Sequence, residues 1–410
     1  MRIAYITQPY PPMVSGASFV VQRLAESMAA RGHQVLVVAA SDTDESYTVK
    51  RVNLTIKRLR SSNNPLRVSQ RVMVFPGREI LQALEEFQPD LIHSHELLQI
   101  NLLGLHYARR AKIPTVMTVH QVPWFITQCL PQLGNLGMYV EPFLWAYAYW
   151  LLRQFTSLVT PTQTISTLIH HMTKIQPQTI SNGVDLNVFR PSRLASRKDA
   201  ALRAKLGIPA GVPVILHVGQ LHSGKRVDRV VQAVAGLIRE TDAHLLVIGD
   251  GPDRLPLQRL CEKLGFAGRA HFPGYIMVEQ GLADAYRLAS VFVTASEIET
   301  QGIVLLEAAA SGLPIVAVRA TCIPEIVSDG ENGYLSKSGD VNGLTDSLMA
   351  LLQDPKKARA MGNAGRTLVE SHASEHTCDL HEQIYRARIA EKYARPVKRN
   401  RHHQWALLRP

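Results

Sequence analysis

The sequence predicts an α/β protein of two domains, each built on a parallel β-sheet. The chain has 410 residues, which fits two domains of roughly 150–200 residues each better than one ordinary hydrophobic core. Short apolar runs alternate with helical stretches, the pattern of βαβ units. This alternation stops at a charged, proline-bounded stretch at 190–209 and then starts again. We therefore expect a first domain at 1–190 and a second domain at 191–375.

The first domain opens with a predicted βαβ unit. Residues 2–7 form a buried apolar strand, residues 19–30 a helix, and residues 34–40 a second strand. The loop after the first strand contains Gly16, which permits close approach of a ligand just before a helix N-terminus. An ordinary turn explains this glycine equally well. The loop does not read GxGxxG, so the dinucleotide-binding fingerprint is absent.

Histidines follow the next two predicted strands of this domain. The strands lie at 90–95 and 114–120, and His120 falls at the carboxyl end of the second one, where open α/β sheets place their ligands. A single histidine at such a place is more often structural. His93 and His95 lack an apparent third ligand, so we interpret them as walls of a site and not as a metal centre.

Two segments of the first domain indicate contact with a membrane. Residues 46–78 hold eight basic residues and no acidic one, and residues 138–155 concentrate aromatic residues, including Trp145 and Trp150. A basic surface attracts nucleic acid or an anionic membrane. Without a recognisable nucleic-acid module, we favour the membrane. The aromatic segment suits a buried helix or an amphipathic helix among lipid headgroups, and residues 122–126 are a candidate wall of an apolar acceptor groove.

The second domain restarts the alternation with a strand at 213–218 and a helix at 227–239. Between them lies a polar loop that contains Gln220 and Lys225. A further helix at 376–394 and a basic tail at 395–410 follow this domain.

The stretch at 294–318 carries the clearest functional signal. Glu299 lies in a polar loop, and Glu307 lies eight residues later on an alanine-rich helix predicted to begin near Gly302 and to end at Gly312. A helix N-terminus attracts anions. Carboxylates beside it can bind sugar hydroxyls. The stretch therefore predicts a site for a nucleotide sugar, although two glutamates at this spacing also occur by chance on solvated helices.

The sequence around these two glutamates resembles the signature motif of the family-4 retaining glycosyltransferases, which have the GT-B fold. The signature is Glu-x7-Glu, a helix of small residues, and Gly-hydrophobic-Pro, here Gly312-Leu313-Pro314. The local motif Glu-Thr-Gln-Gly, from Glu299 to Gly302, is most similar to the motif in the branch of the family that glucosylates diacylglycerol. The resemblance covers about residues 2–390. It implies two Rossmann-like domains whose parallel sheets face each other across a cleft, and a last helix that crosses back to the first domain.

The resemblance also implies the roles of the site residues. A hexose would pass from a nucleoside diphosphate to an acceptor hydroxyl. The expected donor is UDP-glucose, and the expected acceptor is a membrane lipid such as diacylglycerol. The implied catalytic residues are Glu299, His120 and Lys225. The implied donor-binding residues are Gly16, Gln220, Thr300, Gln301, Gly302, Ile303 and Glu307. Gln220 departs from the family, which has an arginine there. No metal or other cofactor is expected.

Alternatives stay open at this point. The acceptor could be a soluble sugar, or phosphatidylinositol with GDP-mannose as donor, and the change at Gln220 could leave an inactive nucleotide-sugar-binding protein. Scattered cysteines, four in number, have neither metal-ligand nor disulfide spacing, which is typical of a reducing cytoplasm. We expect a cytoplasmic protein, peripheral at the inner face of the membrane and without a nucleic-acid partner.

Overall fold

The structure is a computed structural model that describes residues 1–63, 71–74, 76–97, 100–123, 136–191 and 197–394. Arg67, Cys129, the basic tail at 395–410 and most of the candidate acceptor wall at 122–126 lie outside the described residues. The predicted α/β class with two parallel sheets is confirmed. No described helix is both long enough and apolar enough to cross a bilayer.

The first domain is built on an eight-stranded sheet. Its region of the chain contains β1 (Arg2–Ile6), β2 (Gln34–Ala40), β3 (Tyr47–Arg51), β4 (Leu54–Leu59), β5 (Ser61–Asn63), β6 (Arg71–Met73), β7 (Leu91–Ser94), β8 (Thr115–Thr118), β9 (Ser157–Thr160) and β10 (Gln178–Thr179). The sheet order is β10-β9-β8-β7-β1-β2-β4-β3, and β5 pairs separately with β6. All neighbours in the large sheet are parallel except β3 and β4.

The helices of this domain are α1 (Gly16–Ala30), α2 (Gly77–Phe87), α3 (Ile100–Ala111), α4 (Leu136–Leu152) and α5 (Gln163–Thr173). Helix α1 begins three residues before the predicted start at 19. The reason is a capping box: the Ser15 hydroxyl accepts from the Ser18 amide, and the Ser18 hydroxyl accepts from the Ser15 amide, each at 3.1 Å. Helix α1 therefore reaches the edge of the cleft.

The described residues of the basic stretch at 46–78 form the hairpin of β3 and β4, the separate pair of β5 and β6 and the start of α2, which the sequence interpretation did not predict. Arg58 is wrongly included in an exposed basic surface, because its guanidinium is buried and donates to carbonyl oxygens of Tyr10 and Ala40 at 3.2 and 3.0 Å. Lys50 and Lys57 pair with Thr55 and Thr48, which places both lysines on one face of the hairpin.

Three basic residues of this hairpin region remain exposed or half-buried without an ion pair among the described residues. We name them the basic edge: Lys50, Lys57 and Arg60.

The second domain is built on a six-stranded, fully parallel sheet. Its strands are β11 (Val214–Val218), β12 (His244–Ile248), β13 (Ala270–Gly274), β14 (Val291–Val293), β15 (Ile315–Val318) and β16 (Gly333–Ser336), in the order β13-β12-β11-β14-β15-β16. Its helices are α6 (Arg197–Leu206), α7 (Val227–Leu237), α8 (Arg254–Lys263), α9 (Leu282–Leu288), α10 (Ile303–Ala310), α11 (Val341–Gln353) and α12 (Pro355–Leu368). The strand order reverses between β11 and β14. This switch point is where open α/β sheets bind ligands.

The last helix, α13 (Ser374–Ala394), packs on the first domain. Cys378, Ile384 and Tyr385 on this helix join the hydrophobic core formed by β1, β2 and α1. At the surface, Arg31 forms ion pairs with Asp379 and Glu382 at 2.7 and 3.0 Å. The chain thus crosses from the second domain back to the first.

Candidate active site

The switch point of the second sheet brings together two residues that the sequence singled out. The loop after β11 carries Lys225, and the loop after β14 carries Glu299. The Lys225 ammonium lies 2.6 Å from Oε1 of Glu299, and the two side chains are 21% and 13% exposed. The Glu299 loop is held from behind, because the Glu299 amide donates to the Thr321 hydroxyl at 3.2 Å. A cation and a carboxylate therefore stand together at the place where a ligand is expected.

Helix α10 begins beside this pair, as predicted, with Gly302 as its N-cap. Gly302 has a φ of 74°, and a β-carbon there would lie 2.9 Å from Cδ1 of Leu305. Only glycine adopts this conformation at no steric cost. In the described part of the chain no side chain caps the helix, so its N-terminus is open to an anion.

Glu307 lies one turn into α10 and is buried. The Tyr286 hydroxyl donates to Oε2 of Glu307 at 2.9 Å. Burial raises the pKa of Glu307 to about 7, and the charge of Arg23 and the Tyr286 hydrogen bond oppose this rise. Arg23 extends from α1 of the other domain, and its Nε and Nη2 atoms are buried without a hydrogen-bond partner among the described residues.

The first domain supplies the opposite wall of the cleft. A β-carbon at Gly16 would lie 3.4 Å from Cδ1 of Ile303, so the N-termini of α1 and α10 face each other across the gap. Gln220 also reaches this wall, because its Nε2 donates to the carbonyl oxygen of Val14 at 3.2 Å. Gln220 thus occupies the cleft, at the position where the resemblance implies a cation.

His120 belongs to a buried cluster at the carboxyl ends of β7 and β8. Its Nε2 lies 3.0 Å from Nδ1 of His95, and both rings are stacked at 5.3 Å. His93 contacts the Tyr385 hydroxyl through Nδ1 at 2.6 Å and Thr118 through Nε2 at 2.8 Å.

Burial keeps these histidines uncharged. It lowers the pKa of His120 to about 4, and it lowers the pKa of His93 and of His95 well below the usual value. We name this group the histidine cluster: His93, His95, His120 and His381. Sequence interpretation missed His381 and Tyr385, since only the fold brings α13 to this place.

Gln301 is placed differently from the other residues of its loop. Its side chain is 1% exposed and makes hydrogen bonds to the first domain. That side chain is therefore not available to a donor. The predicted contacts of the backbone amides at 300–303 stay predictions.

Two neighbours of Lys225, Arg226 and His222, make hydrogen bonds of their own. Arg226 is bound bidentately by Asp228 at 3.1 and 2.9 Å, and His222 accepts from the Gly224 amide at 3.2 Å. Among the described residues, no group of three His, Cys, Asp or Glu is placed to hold a metal ion.

Helix α4 combines both environments considered for the aromatic segment. Trp145 is buried against the first domain, whereas Tyr139, Phe143 and Trp150 are 67%, 78% and 50% exposed. These three aromatics, at 139, 143 and 150, follow one side of the helix, and Tyr149, which is 37% exposed, lies off it. We name this side the aromatic face.

Known protein families match both halves of the chain. The family described as "Glycosyltransferase Family 4" matches residues 14–188, and "Glycosyl transferases group 1" matches residues 198–368. An N-acetyl-α-D-glucosaminyl L-malate synthase from Bacillus anthracis is 27% identical, over 91% of this chain and 94% of that protein. An α-monoglucosyldiacylglycerol synthase from Streptococcus pneumoniae is 28% identical, over 82% of this chain and 75% of that protein.

The structures agree on the fold. Sucrose-phosphate synthase from Thermosynechococcus elongatus superposes with a TM-score of 0.78 at 23% identity, covering 95% of this chain and 99% of that one. The two facing parallel domains and the matches to both halves define a glycosyltransferase of the GT-B fold. The chain belongs to the family-4 glycosyltransferases, near the diacylglycerol glucosyltransferases.

Proposed function

We propose that this protein is a retaining hexosyltransferase that moves glucose from UDP-glucose to the hydroxyl of a membrane lipid such as diacylglycerol. The observation that carries the proposal is the contact between Lys225 and Glu299 at the switch point, beside the open N-terminus of α10. This arrangement offers a cation and helix dipole to a diphosphate and a carboxylate to a sugar.

Each part of the donor has a proposed partner. Lys225 and the start of α10 stabilise the negative charge that develops on the departing diphosphate. Glu299 accepts hydrogen bonds from hexose hydroxyls, and Glu307 accepts them from the ribose. His120 contacts the hexose as a neutral ring, because burial lowers its pKa to about 4.

The proposed reaction needs no covalent nucleophile from the protein. The bond between the anomeric carbon and the diphosphate oxygen breaks, and the acceptor oxygen bonds the same face of that carbon. Configuration is retained because the acceptor attacks the face that the diphosphate leaves, and the acceptor proton passes to the leaving diphosphate. Protein cations and dipoles take the stabilising role that a metal ion has in other transferases, and we propose metal-independent transfer.

Arg23 is the candidate for the positive charge that Gln220 lacks. It extends from the first domain towards Glu307, and its Nε and Nη2 have no hydrogen-bond partner among the described residues. Buried guanidinium N–H groups without hydrogen-bond partners are costly unless an acceptor reaches them. A diphosphate bound between the domains would supply that acceptor.

The acceptor proposal rests on the first domain. The aromatic face of α4 presents large apolar rings of the kind that lie among lipid headgroups, and the basic edge attracts anionic lipid. Together they support peripheral attachment at the inner face of a membrane, close to a lipid acceptor. Curated relatives include lipid glucosyltransferases, although others are named for L-malate or GDP-mannose.

The test incubates the protein with radiolabelled UDP-glucose or GDP-mannose and with vesicles that contain diacylglycerol or phosphatidylinositol. Soluble sugars and L-malate serve as competing acceptors. We expect an organic-soluble α-glucoside from UDP-glucose and diacylglycerol, in the presence of EDTA. A water-soluble product or a mannolipid would overturn the proposed substrates, and donor binding without any product would identify an inactive binding protein.

A further inference from the structure

The side-chain amide of Gln301, in the second domain, makes three hydrogen bonds to the first domain. Its Oε1 accepts from the amide of Asn182 at 2.7 Å, and its Nε2 donates to the carbonyl oxygen of Pro161 at 3.1 Å and to the hydroxyl of Ser181 at 2.8 Å. All three partners belong to the first domain or its exit. A buried amide with each of these bonds made is held in one orientation.

The neighbouring residue adds a second bond between the same two segments. The Thr162 hydroxyl donates to the carbonyl oxygen of Thr300 at 2.8 Å. We name this set of contacts the interdomain clasp: Thr300 and Gln301 on one side, and Pro161, Thr162, Ser181 and Asn182 on the other.

A third contact supports the clasp from the second domain. The Glu325 carboxylate accepts from the amides of Gln163 and Thr164 at 2.9 and 2.7 Å, and so caps the N-terminus of α5. The segments that meet here are therefore fixed at several points and at the place where the chain passes between the domains.

The clasp lies inside the loop that carries the proposed catalytic carboxylate. Glu299 precedes Gln301 by two residues, and α10 begins two residues after it at Ile303. Because the Gln301 side chain faces the first domain, any movement of it displaces both Glu299 and the helix N-terminus. His120 lies on that same first domain, so the clasp sets the distance between the two walls of the cleft.

We propose that Gln301 is a positioning residue, which fixes the Glu299 loop to the first domain and thereby aligns the donor with the acceptor side of the cleft. This inference rests on the proposed glycosyl transfer. Misplacement of reacting groups by about 1 Å costs on the order of 100-fold in rate. Loss of the clasp is therefore expected to lower kcat by about 10–100-fold while UDP affinity changes by less than about threefold.

The sharpest variant is Gln301→Glu, because it keeps the shape and replaces the amide nitrogen, which donates two hydrogen bonds, with an oxygen. One carboxyl oxygen still accepts from the Asn182 amide, but the other faces the carbonyl oxygen of Pro161 and repels it. A proton on that oxygen restores one of the two donated bonds, the one to Pro161, and a buried carboxyl in this setting binds protons readily. We expect the kcat of Gln301→Glu relative to wild type to rise as pH falls from 8 to 6.

Three further variants separate positioning from folding. Thr162→Val removes the clasp bond to Thr300 and also the bond by which the Thr162 hydroxyl caps α5 at the Ile165 amide, whereas Thr162→Ser keeps both and should restore most of the rate. Gln178→Glu makes the same chemical change at an exposed position of β10 and should follow the wild-type pH profile. A pH-independent loss in Gln301→Glu, or a kcat equal to wild type, would overturn the proposal.

A readout without turnover keeps this test separate from the proposed function. Amide hydrogen exchange of peptides within 294–310 is measured for wild type and Gln301→Glu without donor. Faster exchange in the variant at pH 8 than in wild type is expected. Unchanged exchange would refute the clasp, whereas a wild-type protein that transfers no sugar would refute the proposed function instead.

Discussion

Removal of Glu299 should separate nucleotide binding from sugar transfer, because its carboxylate pairs with Lys225 in the unliganded protein. A diphosphate that binds Lys225 must share or replace this partner. In Glu299→Ala the ammonium is released, and a nearby negative charge that repels the diphosphate is lost. The same substitution removes the proposed hexose ligand, so UDP affinity and kcat should change in opposite directions.

The magnitude follows from the 2.6 Å contact and the partial burial of both side chains. A hydrogen bond to a charged group contributes about 1.5–3 kcal/mol, and 1.4 kcal/mol is about tenfold in affinity. Since UDP need not break the pair completely, we expect UDP affinity to rise by about threefold to tenfold. Loss of the hexose contact should lower kcat by at least about 100-fold.

Calorimetric titration with UDP, and initial rates with UDP-glucose, measure the two effects. Glu297→Ala is the matched control, because Glu297 lies two residues earlier and pairs with Arg229 instead. It should leave both quantities close to wild type. A fall in UDP affinity in Glu299→Ala, or wild-type turnover, would refute the proposed division of roles.

Four other predictions follow from the site and its surroundings. Burial raises the pKa of Glu307 to about 7. UDP-glucose should therefore bind more tightly at pH 8, where the ionised carboxylate accepts hydrogen bonds, than at pH 6. Glu307→Gln should weaken UDP-glucose binding and remove its dependence on pH. Gln220→Arg should leave activity unchanged or raise it, and loss of donor binding would show that the glutamine is an adapted partner. Charge reversal of the basic edge should reduce co-sedimentation with anionic vesicles, as should high salt; equal binding to neutral vesicles would contradict this. The histidine cluster is neutral in the folded protein. In the unfolded chain the same histidines have their ordinary pKa of 6.5 and take up protons below that pH. Stability from this source is therefore present above pH 6.5 and lost as pH falls towards 4, and urea midpoints at pH 7 and pH 5 should differ accordingly.

Short-range sequence patterns predicted the fold and the position of helix α10 at the candidate active site. Glycine at 302 and at 312 set the two ends of α10, and both have positive φ as such ends require. The predicted strand at 34–40 matches β2 at both ends. These features depend on residues close together in the chain, which is where propensity and periodicity carry information.

The errors concern contacts between distant residues and exposed strands. The hairpin of β3 and β4 was missed because the interpretation rested on its basic residues and overlooked the apolar–polar alternation of residues 47–50 and 54–57. The burial of Arg58 depends on carbonyl groups that only the fold brings to it. Gln301 finds its partner Asn182 119 residues away, and no local pattern encodes that bond.

The return of α13 to the first domain has a consequence for how the protein is made. Residues 378, 384 and 385 complete the core of the domain that contains β1 and α1. During synthesis, the domain that leaves the ribosome first therefore stays incomplete until the last helix emerges, while the second domain already has all its strands. A ribosome that stalls before residue 374 would release a finished second domain and an unfinished first one, with apolar surface that a chaperone would have to cover.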